Sequence, residues 1–297
     1  MQTYLDCIPC FLRQTFDAAK LATDNEQIHE QVVRQVLRLA ADLDMSQSPP
    51  VLGQQIHRLI RELLGTEDPY RKMKKRLNEL VLRLHPYLCK LIAKSKDPLE
   101  TAIRLAIGGN IIDFGVLGPF EELSLETAIS ESLAADFDSA QLEPFRDAVT
   151  KAQEILYLCD NAGEIAFDRL LIKQLPHERV TVAVKGRPVI NDATIEDAQA
   201  LGLTDMVEVI DNGDDAPATI LESCSEHFRI RFYEADLIIA KGQGNYETLS
   251  AVKRNIFFML KAKCPVIARD LGCEVGKMIL GRSQTCQDAV DLVKEAK

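Results

Sequence analysis

From residue 154 onward the chain alternates apolar runs of strand length with helical stretches, and this alternation limits the fold more than any other feature. The runs fall at 155–159, 180–184, 207–210, 237–240 and 266–268. Helix-period segments at 165–175, 194–201 and 216–224 separate most of them, while 255–260 (NIFFML) reads equally as strand or helix. Strands alternating with helices build βαβ units, so the expected core is a largely parallel sheet in a three-layer α/β/α arrangement.

The first part of the chain has a different grammar. Apolar faces recur at helical spacing through Val32, Val33, Val36, Leu37 and Leu39, again through Ile56, Leu59, Ile60, Leu63 and Leu64, and again through Leu77, Leu80, Val81, Leu84 and Leu88. Ser48-Pro49-Pro50 and Asp68-Pro69 punctuate these helices, and Asp97-Pro98 marks the start of the next. No strand pattern interrupts them and no internal repeat is visible. The expected organisation is an all-helical subdomain over 1–112, followed by an α/β/α metal- and phosphate-binding domain over 113–297.

Composition narrows the function. A net charge of −10 and a pI near 5.1 argue against binding a nucleic-acid backbone. No apolar run approaches the ~20 residues of a membrane span, and the start, MQTYLDCIPCF, lacks the form of a signal peptide. The basic run at 71–76 (RKMKKR) reads as a solvated helix face. Eight cysteines include only one close pair, Cys7 and Cys10, which points to free thiols in a reducing, cytoplasmic setting. That pair is open to three readings: half a metal site with Cys89 as a third ligand, a redox couple, or two small residues opening a helix.

The polar residues cluster where strands end. Asp160-Asn161 ends the first run, and Lys185 ends the second with Asn191-Asp192 close behind. Asp211-Asn212 ends the third, and Lys241 ends the fourth inside KGQGNYE. In a parallel sheet these exits share one edge, the crevice where open α/β sheets bind ligands. The bland alternative for CDNAGE alone is an ordinary strand–helix turn with an Asx cap. There is no GxGxxG after the first strand and no GxxxxGK[ST], so neither a dinucleotide fold nor a P-loop is supported.

Asp160, Asn161 and Asp192 offer oxygen donors without imidazole or thiolate, a set suited to Mg²⁺, Mn²⁺ or their neighbours rather than zinc. Lys185 and Lys241 add positive charge, and a metal with lysines can hold a phosphoryl group. Gly242 and Gly244 beside Lys241 suggest close backbone approach. A covalent aspartyl-phosphate route would need a second acid two residues after Asp160, where Ala162 stands, so Asp160 reads as a ligand and not a nucleophile.

Four segments in order, IGGNIIDFG (107–115), CDNAGE (159–164), KGRPVINDAT (185–194) and AKGQGNYE (240–247), resemble the metal-dependent damage-control phosphatases, formerly a domain-of-unknown-function family. The CIPC pair resembles that of its prokaryotic-type subfamily. The resemblance spans essentially the whole chain and implies hydrolysis of small phosphorylated metabolites, damaged or overflow sugar phosphates among them, with Mn, Ni, Co or Mg as cofactor. It assigns the metal to Asp160, Asn161 and Asp192, and a catalytic phosphate contact to Lys241. It also implies substrate contacts from Asn110, Asp113, Lys185, Asn245 and Glu247, with Glu164 less defined.

Two other functions compete. An S-adenosylmethionine-dependent carboxyl methyltransferase would use the strand-end acid and the Ala-Gly turn, although one glycine stands where that cofactor's loop shows two or three. A metal or redox sensor would work through Cys7 and Cys10 and would leave the acidic edge without a role.

Overall fold

The computed structural model describes residues 1–109, 121–135, 137 and 139–283. Five helices come first: α1 (Cys7–Ala22), α2 (Glu26–Ala41), α3 (Pro49–Leu64), α4 (Arg71–Lys94) and α5 (Pro98–Gly108). The proline punctuation acts as expected: Pro98 occupies the first turn of α5, where no amide donor is needed, and the Asp97 side chain caps Glu100 N at 3.0 Å. α6 (Glu121–Ala134) and α7 (Leu142–Lys151) follow before the first strand.

A six-stranded sheet then forms from β1 (Ile155–Leu158), β2 (Val180–Val184), β3 (Glu208–Asp211), β4 (Leu237–Lys241), β5 (Ile256–Lys261) and β6 (Met278–Arg282). Its order is β3-β2-β1-β4-β5-β6, parallel except for β6, which pairs antiparallel at one edge. The helices within it are α8 (Glu164–Ile172), α9 (Ile195–Ala200), α10 (Glu226–Glu234), α11 (Gly242–Leu249) and α12 (Pro265–Leu271).

Successive strand residues point to opposite faces, and the apolar core divides accordingly. Ile155, Tyr157, Val182, Ile239, Phe257 and Met259 join the helices of the first 150 residues and α8 in one cluster. Leu156, Leu158, Ile238, Phe258 and Leu260 face Phe228 and Phe232 of α10, Leu249 of α11 and Ile267 of α12 in the other. The architecture is therefore the expected three-layer α/β/α. Each fully buried Leu or Phe contributes about 1.5–3 kcal/mol, so both layers are strongly held.

Three expectations are corrected. Residues 266–268 lie in α12, because Pro265 opens a helix after the extended Cys264 and Gly272 closes it at φ 65°. Residues 216–224 run as turns, since Pro217 restrains Ala216 from helical geometry; α10 begins at Glu226, behind the N-cap Ser225, whose hydroxyl accepts from Phe228 N at 3.2 Å. The ambiguous 255–260 segment supplies β5, and β6 escaped notice because only a short apolar stretch precedes its Gly281. The 71–76 face is solvated except at Met73, which joins the core, and Lys74, which is buried against Asp68 at 3.0 Å and Asp197 at 3.4 Å.

Candidate active site at the strand-order reversal

The chain lays down β1, β2 and β3 in one direction and then returns to place β4 on the other side of β1. The crevice beyond the carboxyl ends of β1 and β4 is thus the topological switch point of the sheet. Asp160 and Asn161 leave β1 there, and Lys241 ends β4 there.

Backbone pairing draws the β2 exit onto the β1 exit. Ala193 N donates to Asp160 O and Ala162 N to Asn191 O, both at 2.8 Å, and Asn161 and Asp192 form an antiparallel bridge. Lys185 N closes the loop on Ala193 O at 2.9 Å. Within this loop Ile190 takes φ 44°, a conformation strained for a β-branched residue, and holds it next to Asp192. The helical part fixes the other side: Asn78 of α4 accepts from Gly163 N at 2.7 Å, and its amide donates to Asp197 at 2.8 Å.

Asp160 packs on the first residue of α11. Gly242 has φ 81°, and a Cβ there would lie 2.0 Å from Asp160 Oδ2, so glycine is required both by conformation and by space. The anticipated close backbone approach is therefore made by the protein's own carboxylate. Burial, then the neighbouring Glu164 and Asp192 carboxylates, push the Asp160 carboxyl well above its ordinary range. Asp192 is raised to about 6 by burial, with Lys185 3.4 Å away offsetting part of it. Its Oδ2 is buried with no hydrogen-bond partner.

The Asn161 amide donates to Asp160 Oδ2 at 2.9 Å and to Glu164 Oε2 at 3.1 Å. Glu164 Oε1 accepts from Lys241 Nζ at 2.5 Å. Lys241 is fully buried and spends its other donors on Asp168 Oδ1 at 2.6 Å and the Ala106 carbonyl near the end of α5 at 2.8 Å. Tyr157 in β1 donates to the same Asp168 oxygen at 2.7 Å. Burial alone would lower the Lys241 pKa, but Asp168 and Glu164 outweigh it and the net shift is upward. Asp168 is raised to about 6 by burial, with Lys241 opposing.

The structure therefore brings together Asp160, Asn161, Asp192, Lys185, Glu164 and Lys241. It turns Lys241 inward, where its three acceptors occupy the ammonium. Asn245 is buried and bridges the two strand ends, donating to Lys241 O at 2.8 Å and Cys159 O at 3.4 Å while accepting from Thr219 at 2.8 Å. Glu247 faces α1: Gln243 donates to it at 2.9 Å, and burial raises it to about 7. Asn212 of the third exit accepts from Gly186 N and Asp214 N, both at 3.0 Å, as a turn residue. Asn110 and Asp113 lie outside the described residues. Asp168 and Tyr157 were missed by sequence reasoning; an acid four residues after Glu164, inside the apolar run IAFDRLLI, was the available signal.

Cys89 stands beside His85 and is not gathered to the N-terminal pair, whose electrostatic neighbours are Cys264 and Glu247. Among the described residues no group of three or more His, Cys, Asp or Glu side chains is placed to hold a metal ion. The switch-point set of two carboxylates and an amide is instead the sparse oxygen set that suits Mg²⁺-like ions, which keep several waters. The buried Asp192 oxygen, with the Lys185 ammonium no nearer than 3.4 Å, and the mutually repelling carboxylates fit such a cation.

These features define a class: a doubly wound α/β protein with an acidic, lysine-backed cluster at the switch point of its sheet. A family model described as the damage-control phosphatase ARMT1-like domain matches residues 3–279. The chain belongs to that family. A protein of Archaeoglobus fulgidus named Damage-control phosphatase is 38% identical over 287 residues, spanning 92% of this chain and 96% of that one. Damage-control phosphatase PH1575 of Pyrococcus horikoshii is 34% identical over 291 residues, 96% of this chain and 99% of that one. A crystal structure of a DUF89-family protein from Pyrococcus horikoshii aligns with a TM-score of 0.84 at 34% identity, covering 95% of this chain and 99% of that one.

Proposed function

We propose that the protein is a metal-dependent phosphomonoester hydrolase acting on small phosphorylated metabolites, with sugar phosphates and damaged phosphometabolites as the substrate class. The carrying observation is the convergence of Asp160, Asn161 and Asp192 at the switch point, where the buried Asp192 Oδ2 faces the Lys185 ammonium at 3.4 Å and keeps acceptor capacity. Family membership supports the phosphatase chemistry. Mn, Ni, Co or Mg would be held by these three residues and would supply Lewis acidity and an acidified water. Lys185, whose ammonium binds only the Ala218 carbonyl and Asp192 among the described residues, keeps a donor for a phosphoryl oxygen. Lys241 carries charge behind the site without reaching its surface. The free thiols fit a cytoplasmic setting, and no helix among the described residues is long and apolar enough to cross a membrane.

The test is to strip the protein with a chelator and return single divalent ions while assaying p-nitrophenyl phosphate and a panel of sugar phosphates. Hydrolysis restored by one or two ions and abolished in Asp160→Ala is expected. An undiminished rate in the stripped protein would overturn the proposal. Thermal stabilisation by S-adenosylmethionine, without any by metal plus phosphate, would favour methyl transfer instead.

A further inference from the structure

An asparagine ligates a metal through its carbonyl oxygen only, so its amide must be turned the right way. Asn161 is turned by its neighbours: both amide hydrogens are taken, one by Asp160 Oδ2 at 2.9 Å and one by Glu164 Oε2 at 3.1 Å. Its Oδ1 accepts no hydrogen bond among the described residues. Glu164 is itself fixed, because its second oxygen accepts from Lys241 at 2.5 Å and Lys241 is anchored on Asp168 and the Ala106 carbonyl. The chain runs unbroken from Tyr157 in the sheet through Asp168, Lys241, Glu164 and Asn161 to Asp160 at the crevice.

We infer that Glu164, backed by Lys241 and Asp168, is a positioning residue that locks the Asn161 amide with its oxygen toward the cation, so that Lys241 serves the metal site from behind and not the phosphate. This inference rests on the metal reading of the site. A carboxylate is needed at 164 because it must accept from two donors at once, one on each oxygen. Glutamine has a single acceptor oxygen and would break either the Asn161 or the Lys241 bond. Outer partners of this kind set ligand orientation, and their loss costs about 10–100-fold in metal affinity.

The lock also makes a prediction opposite to charge counting. Asn161→Asp adds a negative charge among the ligands and by charge alone would tighten a divalent cation. With Glu164 in place it sets a carboxylate oxygen against Glu164 Oε2 and Asp160 Oδ2, removing both donors. Metal binding should therefore weaken, and Glu164→Gln added to Asn161→Asp should restore a donor–acceptor pair.

The experiment measures Mn²⁺ dissociation constants by electron paramagnetic resonance, without substrate, on folded protein. Wild type, Asp160→Asn, Glu164→Gln, Asn161→Asp and the double variant Asn161→Asp/Glu164→Gln are compared, with denaturation midpoints taken in parallel. The inference expects at least tenfold weaker binding in Glu164→Gln, weaker binding in Asn161→Asp, and recovery in the double variant. A merely structural Glu164 would shift the midpoint and leave the affinity of the folded fraction unchanged. Glu164→Gln within twofold of wild type, or Asn161→Asp tighter than wild type, overturns the inference. If Glu164→Gln does not fold, the single variant Asn161→Asp decides, weaker Mn²⁺ binding supporting the inference and tighter binding overturning it. Wild type that binds no Mn²⁺, Mg²⁺, Co²⁺ or Ni²⁺ would sink the metal reading itself, a result distinct from either.

Discussion

β2 and β4 flank β1, and each runs into a buried lysine, yet the two lysines have different neighbours. Lys241 is wholly sealed and has an acceptor for each of its three donors: Glu164, Asp168 and the Ala106 carbonyl. Lys185 has the Ala218 carbonyl and Asp192 at 3.4 Å, and it lines a cavity of about 350 Å³ with Thr66, Arg71, Gly186 and Thr194. One lysine is saturated and the other has capacity left. The difference arises from α8, which carries carboxylates at 164 and 168 one turn apart toward Lys241, whereas the β2 exit offers a single acid. The number of acceptors around a strand-end lysine thus decides whether it is used up inside the fold, as Lys241 is, or keeps a donor, as Lys185 does.

The comparison predicts unequal costs. Lys241→Met would leave two carboxylates buried without their cation, and breaking a buried ionic group from one side costs about 3–5 kcal/mol. Urea denaturation of the metal-free protein checks this. A cost below about 1 kcal/mol would mean the pairing is not a structural keystone.

The acids beside the two lysines sharpen the contrast. Asp168 and Asp192 are each raised to about 6 by burial, opposed by the adjoining lysine. A carboxyl raised in the fold gives stability that is full below about 3.8 and is lost as pH climbs through about 6, about 3 kcal/mol over that window for each. Metal-free wild type should therefore lose about that much relative to Asp168→Asn, and again relative to Asp192→Asn, between pH 4 and pH 7. Saturating Mg²⁺ should abolish the difference for Asp192, which would then be a deprotonated ligand, and leave that for Asp168. Equal responses to the ion would break the division between the two lysine sites.

Lys185→Met removes one ion pair and one bond to a carbonyl, for an expected cost of about 2 kcal/mol. Its larger effect should be kinetic: a raised KM for the phosphate ester and weaker inhibition by inorganic phosphate. Lys241→Met, where it folds, should show its defect in metal affinity instead. The opposite pattern would exchange the two roles.

The sequence carried the layers and the site's address more clearly than the roles of individual residues. Short apolar runs such as 155–159, separated by helical stretches and followed by turn residues, mark buried parallel strands, and Asp160, Asn161 and Asp192 could be placed on one edge from that pattern. The strand order was not legible, because nothing local says that the chain returns from β3 to the far side of β1. Short segments failed for the same reason: the three residues 266–268 are decided by Pro265 in front of them, not by their own hydrophobicity. Side-chain direction was hidden as well. Asn245 and Glu247 sit in the same motif as Lys241, yet α11 turns one onto the β1 and β4 backbones and the other onto Gln243, within electrostatic reach of the N-terminal amine.

Tyr157→Phe makes the smallest change and tests how far the chain of hydrogen bonds transmits. The ring would keep its packing on the buried face of β1, while Asp168 Oδ1 would lose the phenol and Oδ2 has no hydrogen-bond partner to compensate. The expected cost is about 1.5 kcal/mol, the value of one buried hydrogen bond to a charged acceptor, read by urea denaturation. Lys241 still has Glu164 and the Ala106 carbonyl to hold it, so Mn²⁺ affinity should move less than twofold. An affinity loss as large as that of Glu164→Gln would show that orientation is transmitted from the sheet core itself, making Lys241 a relay and not an anchor.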